Sequence, residues 1–135
     1  MFRKVVIGNC TLIKGNCENV MEELESNSIN AIASDPPYLY LKHKLDIPFN
    51  EDKVFGEWKR LLKDNSMIAF FGRGDAFFRW NLILEKLGFK FKESAVWEKN
   101  NASNFLHNFL RIHEDISFRS LGNANLRKEY IDYLE

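Results

Sequence analysis

The sequence predicts an α/β domain, a mostly parallel sheet of about five strands with helices flanking it. Three observations predict this. Short apolar runs of strand length recur along the chain and end in Gly, Asn or Pro. Between them lie stretches whose apolar residues keep a helical spacing. The 135 residues, 45% hydrophobic and 14% aromatic, suffice for one core without disulfides. Strands alternating with helices are the pattern of a layered, largely parallel sheet, and residues 1–135 read as a single domain.

Lys4–Ile7 reads as a buried strand closed by Gly8-Asn9. Glu18–Glu25 reads as a helix with Val20, Met21 and Leu24 on one face, ended by Ser26-Asn27-Ser28. Ile29–Ser34 is a second buried strand and runs straight into Asp35-Pro36-Pro37-Tyr38. Two consecutive prolines cannot donate to a sheet ladder, so the chain leaves the sheet there. Leu39–Asn50 has no period and reads as a loop. Asn50 is placed to cap a helix over Glu51–Lys63 with Phe55, Trp58, Leu61 and Leu62 as its buried stripe, stopped by Asp64-Asn65. Ser66–Phe71 is a third strand, closed by Gly72-Arg73-Gly74. Asp75 then reads as an N-cap, and Phe78, Leu82, Leu84 and Leu87 as the stripe of a helix ending at Gly88. Phe89–Trp97 reads as a strand with Trp97 in the core, Asn100–Asn108 as a polar loop, Asp115–Phe118 as a last short strand, and Asn125–Leu134 as a helical tail.

Lys+Arg and Asp+Glu both number 19, which excludes a polybasic protein bound to nucleic acid chiefly by counterion release. Residues 1–57 carry 6 basic and 9 acidic side chains, net −3, and residues 58–135 carry 13 and 10, net +3. The second half therefore permits a phosphate-facing surface. No run has the length of a membrane span, and the N-terminal run turns polar at Asn9, too early for a secretory signal. A cytoplasmic protein is expected. Cys10 and Cys17, each in Gly-Asn-Cys, read as reduced thiols in a strand-to-helix connection. No Cys/His set has zinc spacing, so no metal is expected.

Chemistry concentrates in Asp35-Pro36-Pro37-Tyr38, at the carboxyl end of a strand, where open α/β sheets bind ligands. A carboxylate there accepts a hydrogen bond from an amine. Prolines stiffen the backbone, so a carbonyl freed from sheet pairing becomes a second acceptor of fixed direction. A tyrosine offers a face for a planar base. Together they suit an exocyclic amine on a flat heterocycle. The four letters alone fit a rigid strand-ending turn, with an exposed Asp and a packed Tyr, equally well.

The wider context resembles the amino-methyltransferases of DNA, which methylate the exocyclic nitrogen of adenine or cytosine with S-adenosylmethionine. Gly8-Asn9-Cys10, Met21-Glu22-Glu23-Leu24 and Ile29 through Tyr38 resemble the opening of the subgroup whose catalytic motif comes first. Trp58…Leu61-Leu62-Lys63, Ser66-Met67-Ile68-Ala69-Phe70-Phe71 and Leu87-Gly88-Phe89 are similar to its next units. Trp97-Glu98-Lys99-Asn100 and His113-Glu114-Asp115-Ile116 match two later landmarks in order, so the likeness spans roughly residues 4–119.

The resemblance implies a partial Rossmann-like methyltransferase fold with Asp35, Pro36, Pro37 and Tyr38 as the catalytic segment. Asp35 and the Pro36 carbonyl would hold the target amine, Tyr38 would stack on the base, and the methyl would pass in line with no covalent enzyme intermediate. The partner would be double-stranded DNA with a flipped adenine, since such an amine is unreachable inside a duplex. Asp rather than Ser at the first position leans toward adenine. Asn9, where the family usually has Asp, and Asp35 are candidate cofactor contacts. Lys99, Arg73, Arg79 and Arg111 are candidates to face DNA phosphates; a solvated surface is the plainer reading of each.

The family's glycine-rich cofactor loop, Phe-x-Gly-x-Gly, is expected well downstream of the catalytic motif, beyond where this sequence ends. Phe70-Phe71-Gly72-Arg73-Gly74 fits the pattern, which makes Phe70, Gly72 and Gly74 candidate cofactor residues, but its place in the order favours an ordinary strand-to-helix turn. The expectation is an incomplete catalytic domain, completed by a second polypeptide or by self-association. Two alternatives stay open: an inactive remnant or DNA-binding accessory subunit, and a methyltransferase acting on RNA or protein amides.

Overall fold

The computed structural model describes residues 2–39, 44, 46–103 and 111–124, with only the backbone at 100–103 and 111. In chain order the elements are β1 (Arg3–Ile7), β2 (Cys10–Lys14), α1 (Cys17–Val20), β3 (Ile29–Ser34), α2 (Glu51–Leu61), β4 (Leu62–Gly72), α3 (Gly74–Lys86), β5 (Lys90–Ser103) and β6 (Arg111–Ser120). β1 and β2 form a separate hairpin, and the main sheet has the order β3-β4-β6-β5.

The α/β class holds, but the expected mostly parallel sheet is corrected to a mixed one. Only β3 and β4 pair parallel, while β6 runs antiparallel to both β4 and β5. The cause lies in the connections. α3 carries the chain from β4 over to β5, leaving a gap between them. Only residues 104–110 then link β5 to β6, too few for the crossover that a parallel pair needs.

The first strand is not buried. Ile7 stands opposite Cys10, so Gly8-Asn9 alone make the turn, and Gly8 takes the positive φ of +57° that a type II′ hairpin turn requires at that position. Val5, Val6, Ile7 and Leu12 are exposed. Cys10 therefore lies on β2 and Cys17 opens α1, so the expected strand-to-helix connection contains a second strand; both thiols are free and exposed.

α1 starts where the Asn16 side chain accepts from Glu18 N at 2.9 Å, and after Val20 it tightens into a 3-10 turn over Met21–Glu23. Arg60 of α2 explains the early stop. Its guanidinium donates to the carbonyls of Met21 (2.7 Å) and Leu24 (3.0 Å) and to Ser26 Oγ (2.8 Å), with the Glu57 carboxylate against it. Carbonyls that a longer helix would use internally are satisfied from outside.

α2 begins as expected, with Asn50 Oδ1 accepting from Lys53 N at 3.0 Å, and buries Val54, Phe55, Trp58 and Leu61. It ends at Leu61 rather than Lys63, and β4 absorbs Asp64-Asn65 as an irregularity with Asn65 at φ +59°. α3 begins at Gly74, so Asp75 lies in its first turn instead of capping it. Its buried residues are Ala76, Trp80 and Leu84, whereas Phe78 and Leu82 are 69% and 59% exposed. The helix is apolar on two sides. Trp80 decides which one faces in, because its ring packs on Phe49 and Phe55 at 5.8 and 6.2 Å and its indole N–H donates to Glu51 at 2.8 Å.

β5 runs to Ser103, so the first part of the expected loop Asn100–Asn108 is strand; 104–108 and the tail 125–134 lie outside the described residues. Trp97 is half-exposed rather than core and meets Phe71 edge-on at 5.8 Å. The core lies between the sheet and α2 and α3, built from Phe55, Trp58, Phe70, Trp80, Leu84 and Phe89. Phe55 sits at its centre, fully buried among Phe49, Trp58 and Trp80. Urea denaturation of Phe55→Ala is expected to show a loss of about 3–5 kcal/mol, against a change within about 0.5 kcal/mol for the exposed Phe78→Ser.

Candidate active site

Ser34 pairs level with Phe70 in the parallel β3–β4 pair, so both strands end at the same edge of the sheet. Gly72 stands opposite Asp115, which brings the start of β6 to that edge, and Glu114 opposite Trp97 adds the late part of β5. Four strands thus deliver Asp35–Tyr38, Gly72-Arg73, His113–Asp115 and Trp97–Lys99 to one place. This is the carboxyl end of β3 and β4, the end where such sheets bind ligands.

The Tyr38 hydroxyl donates to Asp35 Oδ1 at 2.6 Å and lies 3.4 Å from Glu114 Oε2. Glu114 is only 7% exposed, and its other oxygen pairs with the Lys99 ammonium. That ammonium also sits over the Trp97 ring, 5.5 Å from its centroid. Burial, then the Asp35 hydrogen bond and the charges of the two carboxylates, push the Tyr38 phenol far above its ordinary value. The hydroxyl therefore stays a proton donor throughout the working range. Its ring lies 6.4 Å from Trp80, tilted by 57°.

Two cavities flank the segment. One of about 510 Å³ touches Asp35, Pro36 and Pro37 and is walled by Glu18, Met21, Phe49, Val54 and Trp58. The other, about 450 Å³, touches Tyr38, Arg73, Gly74, Asp75 and Arg79. Arg79 is held by both oxygens of Glu51, at 2.9 and 2.6 Å, and this contact keeps the Glu51 carboxyl below its ordinary range.

Of the expected site residues, Asp35, Pro36, Pro37 and Tyr38 stand together between the two cavities. Lys99 reaches the same spot but is tied to Glu114, and Arg73 donates to the His113 carbonyl at 2.9 Å while lining the second cavity. Arg111 opens β6, and its side chain lies outside the described residues. Asn9 sits in the exposed hairpin turn and lines neither cavity. Phe70 is fully buried in the core, and a Cβ on Gly72 would fall 2.1 Å from the Phe77 ring. Both residues thus have packing reasons to be what they are. Gly74 alone of that trio lines a cavity, at φ +58° where α3 begins. Sequence reasoning missed Glu114, placing His113-Glu114-Asp115-Ile116 as a landmark of the resemblance. A charged tripeptide ahead of a strand gave no sign that long-range pairing would carry its middle carboxylate to Tyr38.

Fold comparison places this architecture among methylase structures. The chain superposes on M1.HpyAVI with a TM-score of 0.64 at 19% identity, covering 82% of this chain and 56% of that one. It superposes on a proposed DNA modification methylase of Thermus thermophilus, solved with S-adenosyl-L-methionine, with a TM-score of 0.62 at 16% identity, covering 90% and 60%. The fold is thus an α/β domain shared with these two structures. In sequence, the family model for DNA methylases of the N6/N4 type matches residues 29–133, and the chain belongs to that family. It is 30% identical over 115 residues to the type II methyltransferase M2.MboI of Moraxella bovis, covering 69% of this chain and 42% of the relative. It is 25% identical over 114 residues to the type II methyltransferase M.HinfI of Haemophilus influenzae, covering 67% and 32%. The chain thus spans less than half the length of these two curated relatives.

The crowding at Gly72 gives a test of the glycine segment. Gly72→Ala is expected to lower stability by about 1–3 kcal/mol through overpacking against Phe77, read as a fall in the urea midpoint. A variant of unchanged stability that instead loses S-adenosylmethionine affinity would restore Phe70–Gly74 as a cofactor loop.

Proposed function

We propose that this chain is the target-base part of a DNA methyltransferase that places a methyl group from S-adenosylmethionine on the exocyclic amine of adenine. The observation that carries the reading is the Asp35–Tyr38 segment at the sheet's carboxyl edge, bracketed by two cavities. Asp35 and the Pro36 carbonyl accept from the two N–H bonds of the amine and turn its lone pair toward the incoming methyl. The Tyr38 ring holds the base plane. Asp35 also offsets the positive charge that grows on nitrogen as the bond forms, so catalysis is positioning plus electrostatics. The target nucleotide leaves the duplex to reach this edge. A full carboxylate, rather than a hydroxyl, at the first motif position supports adenine over cytosine.

The residues present fit S-adenosylmethionine in part. The cavity beside Asp35 and Pro36 offers apolar walls in Met21, Phe49 and Trp58 and polar groups in Asn16 and Glu18. The Phe70–Gly72 segment does not fit, since its atoms are spent on the core. When bound, the cofactor supplies an electrophilic methyl on its sulfonium. β3 has a neighbour on one side only among the described residues, and an unpaired edge is a template for another strand. Together with the chain's span of 42% and 32% of the two relatives, this supports completion of the cofactor site by a further segment at that edge. No described helix is long and apolar enough to cross a membrane, and a cytoplasmic site of action goes with a DNA substrate.

Binding of adenosine, followed by NMR, tests the base-holding role without a known DNA target sequence. Adenosine is expected to bind the wild-type chain more tightly than purine riboside, which lacks the amine, and Asp35→Ala is expected to erase that preference. An adenosine preference that survives Asp35→Ala would contradict the reading and favour the accessory-subunit alternative.

A further inference from the structure

The main sheet is apolar on both faces. Register sorts the residues of β4 into two sets. Ile68 and Phe70 face α2 and α3, where Phe70 meets Trp58 and Phe77. Met67, Ala69 and Phe71 face the other way, beside Ala31 and Ala33 of β3 and Phe118 and Ile116 of β6. A sheet with one solvated face alternates apolar and polar residues, whereas Met67-Ile68-Ala69-Phe70-Phe71 has no polar member. Such a run belongs to a strand covered on both sides. Yet α2 and α3 lie on the Phe70 side, and Met21, which closes α1, packs into the same core. Among the described residues no helix lies over Met67, Ala69 and Phe71; Ala31 and Ala33 are exposed and the rest of that face is half-buried.

The chain carries a segment of the right place, pattern and length to cover that face. β6 ends at Ser120, level with Met67 near the amino end of β4. There the Leu121 N–H donates to the Ser66 carbonyl at 3.1 Å and the Asn123 N–H to Asn65 Oδ1 at 2.8 Å. The sequence continues through Asn125–Glu135. Its Leu126, Tyr130, Tyr133 and Leu134 keep the i, i+4, i+7, i+8 spacing of one helical face, and Lys128, Asp132 and Glu135 take the opposite one. As a helix, residues 125–134 would measure about 15 Å, and Met67 to Phe71 spans about 13 Å of strand. A helix about 10 Å across covers two neighbouring strands. We infer that Asn125–Leu134 forms a helix that docks through this apolar stripe on Met67, Ala69, Phe71, Ile116 and Phe118. It runs back over β4 and β6 from the amino end of the sheet toward the carboxyl edge. Ala31 and Ala33 stay uncovered beside β3, where the further segment is proposed to join.

A segment this short is not a stable helix alone in water, so protected amides within it report docking. The test is hydrogen exchange and methyl NMR on the full chain, with the free peptide Asn125–Glu135 as the undocked reference. Amides at 129–134 are expected to exchange at least about tenfold more slowly in the chain than in the peptide. The Tyr130 ring is expected to show NOEs to the methyls of Met67 and Ile116. The double variant Leu126→Asp, Leu134→Asp is expected to abolish both signals and to shift those two methyls. The methyls of Leu84, fully buried on the other side of the sheet, are expected to stay in place and show that the fold survives. Peptide-like exchange in the wild-type tail would overturn the inference. So would NOEs from Tyr130 to Leu82, which would put the tail on the exposed side of α3. Contacts to Met67 that weaken on dilution would give the face to a second copy, and Met67 and Ile116 shifts unchanged by the double variant would give it to another occupant. Either result overturns the inference as well.

Discussion

The parallel pairing of β3 with β4 is the constraint on which the rest depends. Register alone sets Ser34 beside Phe70, and the two prolines that follow cannot extend the ladder, so the chain turns out of the sheet at one defined point. Because β4 continues into Gly72-Arg73 and β6 enters opposite it, whatever leaves β3 at that point meets the beginning of β6. A shift of one residue would send Phe70, the core ring packed against Trp58 and Phe77, to the opposite face. The core therefore enforces the register, and the register places Asp35.

Around that point the structure manages charge by pairing. Glu114 would be costly as a lone buried carboxylate, by about 3–5 kcal/mol once its partner is removed, and Lys99 supplies the partner. Glu51 is matched in the same way by Arg79 and the Trp80 indole, and Arg60 ties the segment before β3 to α2. These contacts leave Asp35 as the exposed carboxylate of the cluster, with the neutral Tyr38 hydroxyl bonded to it among the described residues. An exposed carboxylate at the carboxyl edge of the sheet is suited to receive a ligand's donors.

Local signals in the sequence were enough for β3, the Asn50-capped start of α2, most of β4 and the Asp35–Tyr38 turn, because apolar periodicity, a capping side chain and paired prolines act within a few residues. Features set by distant contacts were not legible. β1 reads as buried since it is apolar, yet its partner β2 leaves both strands exposed. α3 carries two apolar stripes, and only the aromatic neighbours of Trp80 decide that Phe78 and Leu82 face outward. The mixed sheet follows from how β5 and β6 are joined, a matter of topology rather than composition. Glu114 enters the site by strand pairing with Trp97, which nothing in His113-Glu114-Asp115 announces. The match to the DNA methylase family covers residues 29–133, which takes in Ile29–Tyr38 and the later stretches that resembled it but not Gly8-Asn9-Cys10 or Met21–Leu24.

The proposed function divides the labour: the Asp35–Tyr38 segment would hold the base, and a further segment beside β3 would supply the greater part of the cofactor site. Isothermal titration of the chain with S-adenosylmethionine tests it most directly. The claim predicts no saturable binding in the micromolar range, with only weak heat from the cavity beside Asp35. Saturable binding at about 1 μM, a free energy near −8 kcal/mol, would contradict it, because affinity of that size needs a cofactor site already whole.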